Sequence, residues 1–379
     1  MNFTALTEYL DYLPTWRIPG VDCIVMQDHR VLYRHTAGFR DLEAREPVRE
    51  DDLYDLYSCT KPVTCAAALS LFERGKFLMD DPLSDYLPEY AHMQVREKHE
   101  DGSVTLRDAA GKIRIRHLFT MTAGLNYDWG APAIAALKQE NPAAGTREVV
   151  RAIAASPLSF DPGDRWQYSL CHDVLAGLVE VIADMPFEDY VKKTIFDPLG
   201  MKDASFFRTP ETSHRMAKLY RYNDQTGCCD LTDGANDHRA TSRHASGGAG
   251  LCISVADYAL FADAMSCGGV GSNGARILSR ACIDMMRCSP LTDAQLRSFS
   301  WPQHVGYKYA YGVRTMAYPA QGGALSPVGE FGWGGAAGAY VLMDPQNRLS
   351  MVYAQHLLNN QEPIVHPRLR NLLYAALED

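Results

Sequence analysis

Residues 53–61, LYDLYSCTK, join a short strand-like run to an apolar helical stretch that continues to Leu71. Ser58 and Lys61 form the pattern S-x-x-K within it. Because residues three apart share one face of a helix, the Lys61 amine can reach the Ser58 hydroxyl if the helix begins near Ser58. The positive end of the helix dipole disfavours an ammonium group there, which favours a neutral amine that can act as a base. The pattern predicts an activated serine nucleophile, although an N-cap serine followed by a surface lysine has the same spacing.

A second segment, residues 160–169 (FDPGDRWQYS), supplies a tyrosine that can join this pair. Pro162 and Gly163 mark a turn, and a helical pattern of apolar residues begins at Val174. Tyr168 is therefore expected on a loop that leads into a helix, where its phenol can point into a cleft. The alternative is a core tyrosine whose hydroxyl is satisfied by a neighbour.

A third segment, residues 331–338 (FGWGGAAG), is rich in glycine and leads into a strand-like run over residues 339–344. Small residues at a strand allow a ligand to approach the backbone closely. The same letters also fit G-x-G-x-x-A, the pattern of a dinucleotide-binding loop. That loop requires a strand before the glycines and a helix after them. Here the run after the glycines ends in a turn at residues 344–347, so the pattern favours a strand edge.

The order of S-x-x-K, a tyrosine and a glycine-rich strand edge resembles the serine β-lactamase and penicillin-binding-protein superfamily. The class C β-lactamases and the family VIII carboxylesterases are the most similar groups. The resemblance extends over nearly the whole chain, because further segments match at residues 16–21 (WRIPGV), 115–125 (IRHLFTMTAGL), 196–203 (FDPLGMKD) and 247–251 (GGAGL).

The resemblance implies an α+β fold of the β-lactamase/transpeptidase type, in which helices flank an antiparallel sheet. Residues 1–85 and 240–379 would form this α/β domain from both chain ends, and residues 86–239 would form a mostly helical inserted subdomain. Ser58 would lie at the seam between them, where clefts are common. Local patterns further predict a hairpin around residues 28–30, an exposed excursion over 96–111, helices over 132–191, strands around 311–313, 340–342 and 349–353, and a closing helix over 370–377.

The resemblance also implies a role for each site residue. Ser58 would attack an acyl carbonyl and become acylated, and Lys61, Tyr168 or both would take its proton. Tyr168 would then protonate the leaving group and later activate water. The backbone N–H groups of Ser58 and Ala336 would form the oxyanion hole. The substrate-binding segments would contribute Trp333, Gly334, Gly335 and Leu170.

Two departures from the usual motifs bear on the substrate. Trp333-Gly334-Gly335 stands where many members have Lys-Thr-Gly, and tryptophan cannot bind a substrate carboxylate as that lysine does. Leu170 replaces the asparagine of the usual Y-x-N, which removes a polar partner for Lys61. Arg314 or Arg348 could supply a cation, but the sequence puts neither of them in the cleft.

These departures predict a carboxylesterase for small acyl esters. A β-lactamase or D-amino-acid peptidase of the same fold, an acyltransferase and a non-catalytic penicillin-binding-like module are the alternatives. Intact Ser58, Lys61 and Tyr168 argue against the last of these. The expected partner is a small-molecule acyl ester or amide.

Composition excludes several other classes of function. The net charge is −9 with a pI near 5.7, and there is no basic patch, so nucleic acid is not an expected partner. The acidic N-terminal segment predicts an amphipathic helix, and no apolar run reaches the about 18 residues of a membrane span. The ten cysteines include no C-x-x-C and the histidines no H-E-x-x-H, so no metal or cofactor is expected. We therefore predict a cytoplasmic protein with reduced thiols, and the oligomeric state stays open.

Overall fold

The computed structural model describes residues 1–232 and 238–378, which form twelve α-helices and fifteen strands. The helices are α1 Thr4–Trp16, α2 Thr60–Phe72, α3 Ile115–Phe119, α4 Pro132–Glu140, α5 Thr146–Ala154, α6 Cys171–Ala183, α7 Phe187–Val191, α8 Asp197–Leu199, α9 Pro210–Ser213, α10 Val255–Ser266, α11 Arg280–Met286 and α12 Glu362–Glu378. The strands are β1 Gly20–Gln27, β2 Arg30–Asp41, β3 Glu46–Pro47, β4 Leu53–Asp55, β5 Gln94–Lys98, β6 Val104–Asp108, β7 Tyr220–Asn223, β8 Cys228–Leu231, β9 Cys252–Ser254, β10 Tyr307–Tyr309, β11 Arg314–Met316, β12 Phe331–Gly334, β13 Tyr340–Asp344, β14 Leu349–Ala354 and β15 Leu357–Leu358.

An eight-stranded antiparallel sheet in the order β10-β11-β12-β13-β14-β1-β2-β3 joins the two ends of the chain. The two chain ends meet where β1 pairs with β14, and Ile24 lies opposite Val352 there. Sequence-distant strands are thus neighbours inside the sheet. The predicted antiparallel sheet flanked by helices is confirmed.

Helices cover both faces of this sheet, which explains why β1 is an almost continuous apolar run. Successive side chains on a strand point to opposite faces. Cys23 and Val25 pack into the core that includes residues of α1 and α12, whereas Ile24 and Met26 pack into the large core on the other face. Helix α10 lies on that second face, against β1 and β14. Burial of both faces leaves no position in the middle of β1 where a polar side chain could reach water.

Helix α2 connects the sheet to the helical part of the chain. All residues from Thr60 to Leu71 are buried, including Lys61. Helix α2 packs against α6 and α7, and it also contacts β12. The N-terminus of α2, which carries Ser58, therefore lies where the sheet and the helices meet. The predicted domain boundaries at residues 86 and 240 stay a prediction.

The predicted exposed excursion over residues 96–111 is largely exposed, and it contains β6 and most of β5. Two other local predictions differ from the structure. Residues 311–313 are not a strand; they connect β10 to β11, and Gly312 turns the chain with a φ of +78°. The closing helix begins at Glu362 instead of residue 370. These errors arise because aromatic and β-branched residues also occur in tight connections, and because Pro367 inside α12 interrupts the expected helical pattern.

All ten cysteines lie within the described residues, and none is bonded to another cysteine. Within residues 1–232 and 238–378, no helix combines the length and the apolar character that crossing a membrane requires.

Candidate active site

Ser58 lies on a tight turn between β4 and α2. The turn is a single 3₁₀ element, Tyr57–Cys59, and Tyr57 has a left-handed φ of +46°. That conformation is unfavourable for a residue with a bulky side chain, and such strain persists only where surrounding contacts hold it. Thr60 supplies one such contact, because its hydroxyl donates to the Tyr57 carbonyl at 2.6 Å and accepts from the Leu251 N–H at 3.0 Å. The turn leaves Ser58 at the edge of a cavity.

The structure brings Lys61 and Tyr168 to the Ser58 hydroxyl. The Lys61 amino group donates to Ser58 Oγ at 3.2 Å, and the Tyr168 hydroxyl lies 2.5 Å from the same atom. Lys61 Nζ also lies 4.5 Å from the centre of the Tyr168 ring. The three groups thus form one hydrogen-bonded unit in which a proton can pass from Ser58 to either partner.

The buried Lys61 has a second partner that the sequence did not predict. Its Nζ donates to the carbonyl of Gly248 at 2.8 Å. Asp173, on the first turn of α6, holds the loop that carries this carbonyl, because it accepts from the Ser246 hydroxyl at 2.6 Å and from the Gly248 N–H at 3.3 Å. A Cβ on Gly248 would lie 2.5 Å from Asp173 Oδ2, so only glycine fits there. Asp173 and Gly248 therefore replace the asparagine that is missing at Leu170.

Burial controls the electrostatics of Asp173. Desolvation raises the pKa of its carboxyl, while the hydrogen bond from Ser246 and the nearby Lys61 charge lower it. The sequence signal for this residue was weak. Asp173 follows Tyr168 by five positions, and only one of its two loop partners, Gly248, belongs to the matched segment 247–251.

Leu170 does not line the cavity, and its predicted role in substrate binding is wrong. Its side chain is buried in the large core, and its backbone N–H donates to the Asn126 carbonyl at 3.0 Å. Tyr168 faces the cleft from the loop, and the chain then turns into α6, so the side chain at position 170 points into the protein.

The glycine-rich segment approaches the serine turn very closely. A Cβ on Gly335 would lie 2.3 Å from the carbonyl oxygen of Leu56, two residues before Ser58. Glycine at position 335 therefore allows the end of β12 to pack on the turn. Ala336 lines the cavity together with Ser58, and Asn360 donates to the Ala336 carbonyl at 2.7 Å, which holds that peptide in place. The N–H groups of Ser58 and Ala336 stay the predicted oxyanion donors.

Trp333 belongs to an aromatic wall beside the catalytic groups. Its ring stacks on Tyr168 at 6.0 Å, and Trp301 meets Tyr168 edge-on at 5.3 Å. Trp301 was not predicted, because it lies in a connection without any helical or strand periodicity. The cavity of about 160 Å³ is lined by Trp301 and by six residues predicted from the sequence: Ser58, Tyr168, Trp333, Gly334, Gly335 and Ala336.

Arg314 and Arg348 were the two arginines that could supply a cation to the cleft, and the structure places them differently. Arg314 on β11 is buried and lines the cavity. Arg348 lies in the turn before β14, where it pairs with Asp28 at 2.6 Å, and it does not line the cavity.

Two clusters of cysteine and histidine lie outside the cavity lining. In one of them, Cys65 Sγ lies 3.6 Å from His172 Nε2. Burial lowers the pKa of His172 to about 3 and raises the pKa of Cys65, so both are neutral. His29, Asp263 and Cys267 could together offer ligands to a metal, but the His29 ring already donates to Asp263 at 2.7 Å and so holds the β1–β2 turn.

The family of the chain follows from comparison with known proteins. A family model described as Beta-lactamase matches residues 6–376. The chain belongs to the Beta-lactamase family. Within this family, esterase EstB from Burkholderia gladioli is 31% identical over 356 residues, which cover 89% of this chain and 85% of EstB. The family and this relative identify the chain as an enzyme of the serine hydrolase type.

Two solved structures are similar to the chain in fold. One is EstCE1, described as a hydrolase with promiscuous acyltransferase activity, with a TM-score of 0.79, 22% identity and coverage of 98% of both chains. The other is the LovD6 mutant of simvastatin synthase from Aspergillus terreus, with a TM-score of 0.82, 23% identity and coverage of 100% of this chain and 98% of that chain. The predicted β-lactamase/transpeptidase-like fold is confirmed.

The geometry around Ser58 predicts that Lys61 and Tyr168 act on the same proton. Lys61→Ala and Tyr168→Phe should each lower kcat/KM by two or more orders of magnitude, since general acid–base help contributes ~10²–10⁴ in rate. The double variant should lose far less than the product of the two losses. Lys76→Ala and Tyr86→Phe, which change the same residue types away from the cavity, serve as controls. A double-variant loss equal to that product would contradict the shared proton.

The Asp173 contacts predict that this residue positions the loop that carries the Gly248 carbonyl. An asparagine at position 173 should preserve part of that role. Asp173→Ala removes the oxygen, Oδ1, that accepts both hydrogen bonds from the Gly248 loop, and it should lower kcat about tenfold or more, which corresponds to one to two hydrogen bonds. Asp173→Asn retains an acceptor oxygen and should keep clearly more activity. Asp344→Ala removes another buried aspartate, outside the cavity lining, and should lower the melting temperature without lowering kcat. Unchanged kcat in folded Asp173→Ala would refute the role.

Proposed function

We propose that the protein is a carboxylesterase that hydrolyses small acyl esters through an acyl-enzyme on Ser58. The observation that carries this proposal is the position of Ser58 Oγ, which accepts hydrogen bonds from both Lys61 and Tyr168 at the mouth of a small aromatic cavity. The esterase relative supports an ester substrate.

Acylation begins when Ser58 Oγ attacks the ester carbonyl carbon. The hydroxyl proton passes to the neutral Lys61 amine or to the Tyr168 phenolate, whichever lacks a proton in the resting unit. The carbonyl oxygen becomes an oxyanion that accepts from the N–H groups of Ser58 and Ala336; donors of this kind contribute ~10²–10³ in rate. The oxyanion then re-forms the carbonyl, the bond to the alcohol oxygen breaks, and Tyr168 gives that oxygen a proton.

Deacylation repeats the same steps with water as the nucleophile. Tyr168 or Lys61 takes a proton from water, and the resulting hydroxide attacks the acyl carbonyl of Ser58. The second oxyanion collapses and releases the carboxylic acid, while Ser58 Oγ recovers a proton from the pair. Acylation gives the Ser58 proton to the alcohol and deacylation replaces it with a proton from water, so the full cycle returns the Ser58–Lys61–Tyr168 unit to its starting protonation state.

The size and character of the cavity favour a small ester over a bicyclic antibiotic. About 160 Å³ between Trp301, Trp333 and the oxyanion segment suits a short acyl group. Trp333 offers a flat apolar wall where many relatives have a lysine. The lack of a cation is not the reason for this preference, because Arg314 lines the cavity.

An acyltransferase is the second candidate. The aromatic wall of Trp166, Trp301 and Trp333 surrounds Tyr168, and an apolar surface there would favour an alcohol over water as the acyl acceptor. EstCE1 and LovD support this alternative by fold. Adding a primary alcohol during ester hydrolysis and measuring the share of transesterified product separates the two candidates.

The proposal predicts a clear order of substrates. The value of kcat/KM for 4-nitrophenyl acetate or butyrate should exceed that for the chromogenic cephalosporin nitrocefin by at least about 10²-fold, because the apolar wall of Trp301 and Trp333 favours a short acyl group over a polar bicyclic nucleus. Ser58→Ala is the control for background hydrolysis. Comparable efficiencies on both substrates would favour a β-lactamase, and inactivity on both would favour an acyltransferase or a specialised peptidase.

A further inference from the structure

The rear of the cavity contains a buried guanidinium with an unpaired donor. Arg314 Nη2 donates to Glu330 at 3.3 Å and to the Val341 carbonyl at 3.0 Å. The other nitrogen, Nη1, has no hydrogen-bond partner among the described residues, although the Arg314 side chain is only 2% exposed. A buried N–H without an acceptor is destabilising, so such a donor is uncommon unless something binds it.

Neighbouring residues hold this guanidinium rigidly. Its carbon lies 4.5 Å from the centre of the Tyr340 ring and 5.2 Å from that of Tyr307, within the range of cation–π contacts. Gly332, the register partner of Arg314, leaves room for it, because a Cβ on Gly332 would lie 3.2 Å from Nη1. Packed neighbours therefore hold the Arg314 guanidinium in one position, unlike a flexible arginine on the protein surface.

The formal charges around Arg314 leave a surplus of positive charge. Arg370 is a second guanidinium beside it, and Arg370 also lines the cavity. Glu330 is the only anion hydrogen-bonded to Arg314 among the described residues, and its second oxygen is already taken by the Tyr307 hydroxyl at 2.6 Å. One carboxylate thus faces two cations, which leaves capacity for one more anion.

Glu362, on the wall of the same cavity, does not remove this surplus. It accepts from Gln303 at 2.5 Å. Burial raises the pKa of Glu362 to about 7, and the nearby Arg314 charge opposes that shift only in part. Near neutral pH a large share of Glu362 is therefore protonated. In that form its O–H can donate to a bound anion, beside the arginine.

We propose that the rear of the cavity is a carboxylate subsite centred on Arg314, and that the preferred substrates are small esters that carry a free carboxylate. This inference rests on the proposed esterase function, because it names the substrate class of that cavity. The carboxylate belongs either to the acyl part, as in a monoester of a dicarboxylic acid, or to the alcohol part. Arg314 binds the anion, and the chemistry at Ser58 is unchanged.

The subsite has a consequence for the effect of pH. Glu362 faces Arg314 on β11, Gln303 and His304 on the turn before β10, Tyr340 on β13, and His366 and Arg370 on α12. Burial lowers the pKa of His366 to about 3 and that of His304 well below its usual value, so neither histidine titrates near pH 7. Above pH 7 Glu362 ionises, repels a bound carboxylate and pairs with Arg314. The preference for anionic esters should fall there, and Glu362→Gln should abolish that fall.

Two pairs of matched esters test the subsite. The first pair is 4-nitrophenyl hydrogen adipate and its methyl-capped neutral counterpart, in which the charge lies on the acyl part. The second pair is 4-acetoxybenzoate and its methyl ester, in which the charge lies on the alcohol part. The anionic member of one pair should be preferred in kcat/KM by about tenfold or more, as a charge-assisted contact provides. The pair that responds identifies the side that carries the carboxylate.

Substitutions test whether Arg314 causes the preference for the anionic ester. Arg314→Gln should lose the preference for the anionic ester, and the ratio within one variant is independent of the amount of folded enzyme. The double variant Arg314→Gln/Glu330→Gln serves if loss of the cation alone prevents folding, because it also removes the unpaired buried anion. Arg348→Gln removes one positive charge from outside the cavity and should retain the preference. No preference in either pair, or a preference that survives in Arg314→Gln, would overturn the proposal.

A binding experiment separates this proposal from the esterase proposal. In the Ser58→Ala protein, adipate should raise the melting temperature more than the neutral adipamide, because a ligand stabilises the state that it binds. Arg314→Gln in the same background should remove the difference. Equal shifts for adipate and adipamide would refute the subsite. Failure of the wild type to hydrolyse even the neutral esters would refute the esterase function alone.

Discussion

The burial of the Lys61 amine is the constraint on which the rest of the site depends. A buried amine needs acceptors, and the fold supplies two of them, the Ser58 hydroxyl at 3.2 Å and the Gly248 carbonyl at 2.8 Å. The second acceptor exists only because Asp173 holds the glycine loop against α6. The helical part of the chain, through Asp173, therefore helps to orient Lys61, the proposed base, against Ser58, the proposed nucleophile.

The C-terminal strands form the other side of the cleft, and glycine makes their approach possible. Gly335 lets the end of β12 pack on the turn that carries Ser58, and Gly332 leaves room for the Arg314 guanidinium. Trp333, between them on the strand, points to the opposite side from Gly332 and stacks on Tyr168. Strand β12 and the two residues after it thus supply Trp333 of the aromatic wall, the predicted oxyanion donor Ala336 and the space for a buried cation.

The parts of the site that the sequence predicted depend on short motifs. Ser58 and Lys61 lie three residues apart on one helical turn, and Tyr168 precedes a recognisable helix. Asp173 and Arg314 were not identified as site residues, because their roles depend on contacts with residues 75 and 27 positions away, Gly248 and Val341. Leu170 was assigned to the cleft by its position in a motif, and the turn into α6 directs its side chain into the core instead.

The central claim is that Ser58 forms the acyl-enzyme, and covalent labelling tests it most directly. Intact-protein mass spectrometry after incubation with a fluorophosphonate should find one adduct per chain, and peptide mapping should locate it on Ser58. The Ser58→Ala protein should gain no adduct and should lose esterase turnover. Labelling of another serine, or full activity in Ser58→Ala, would contradict the account.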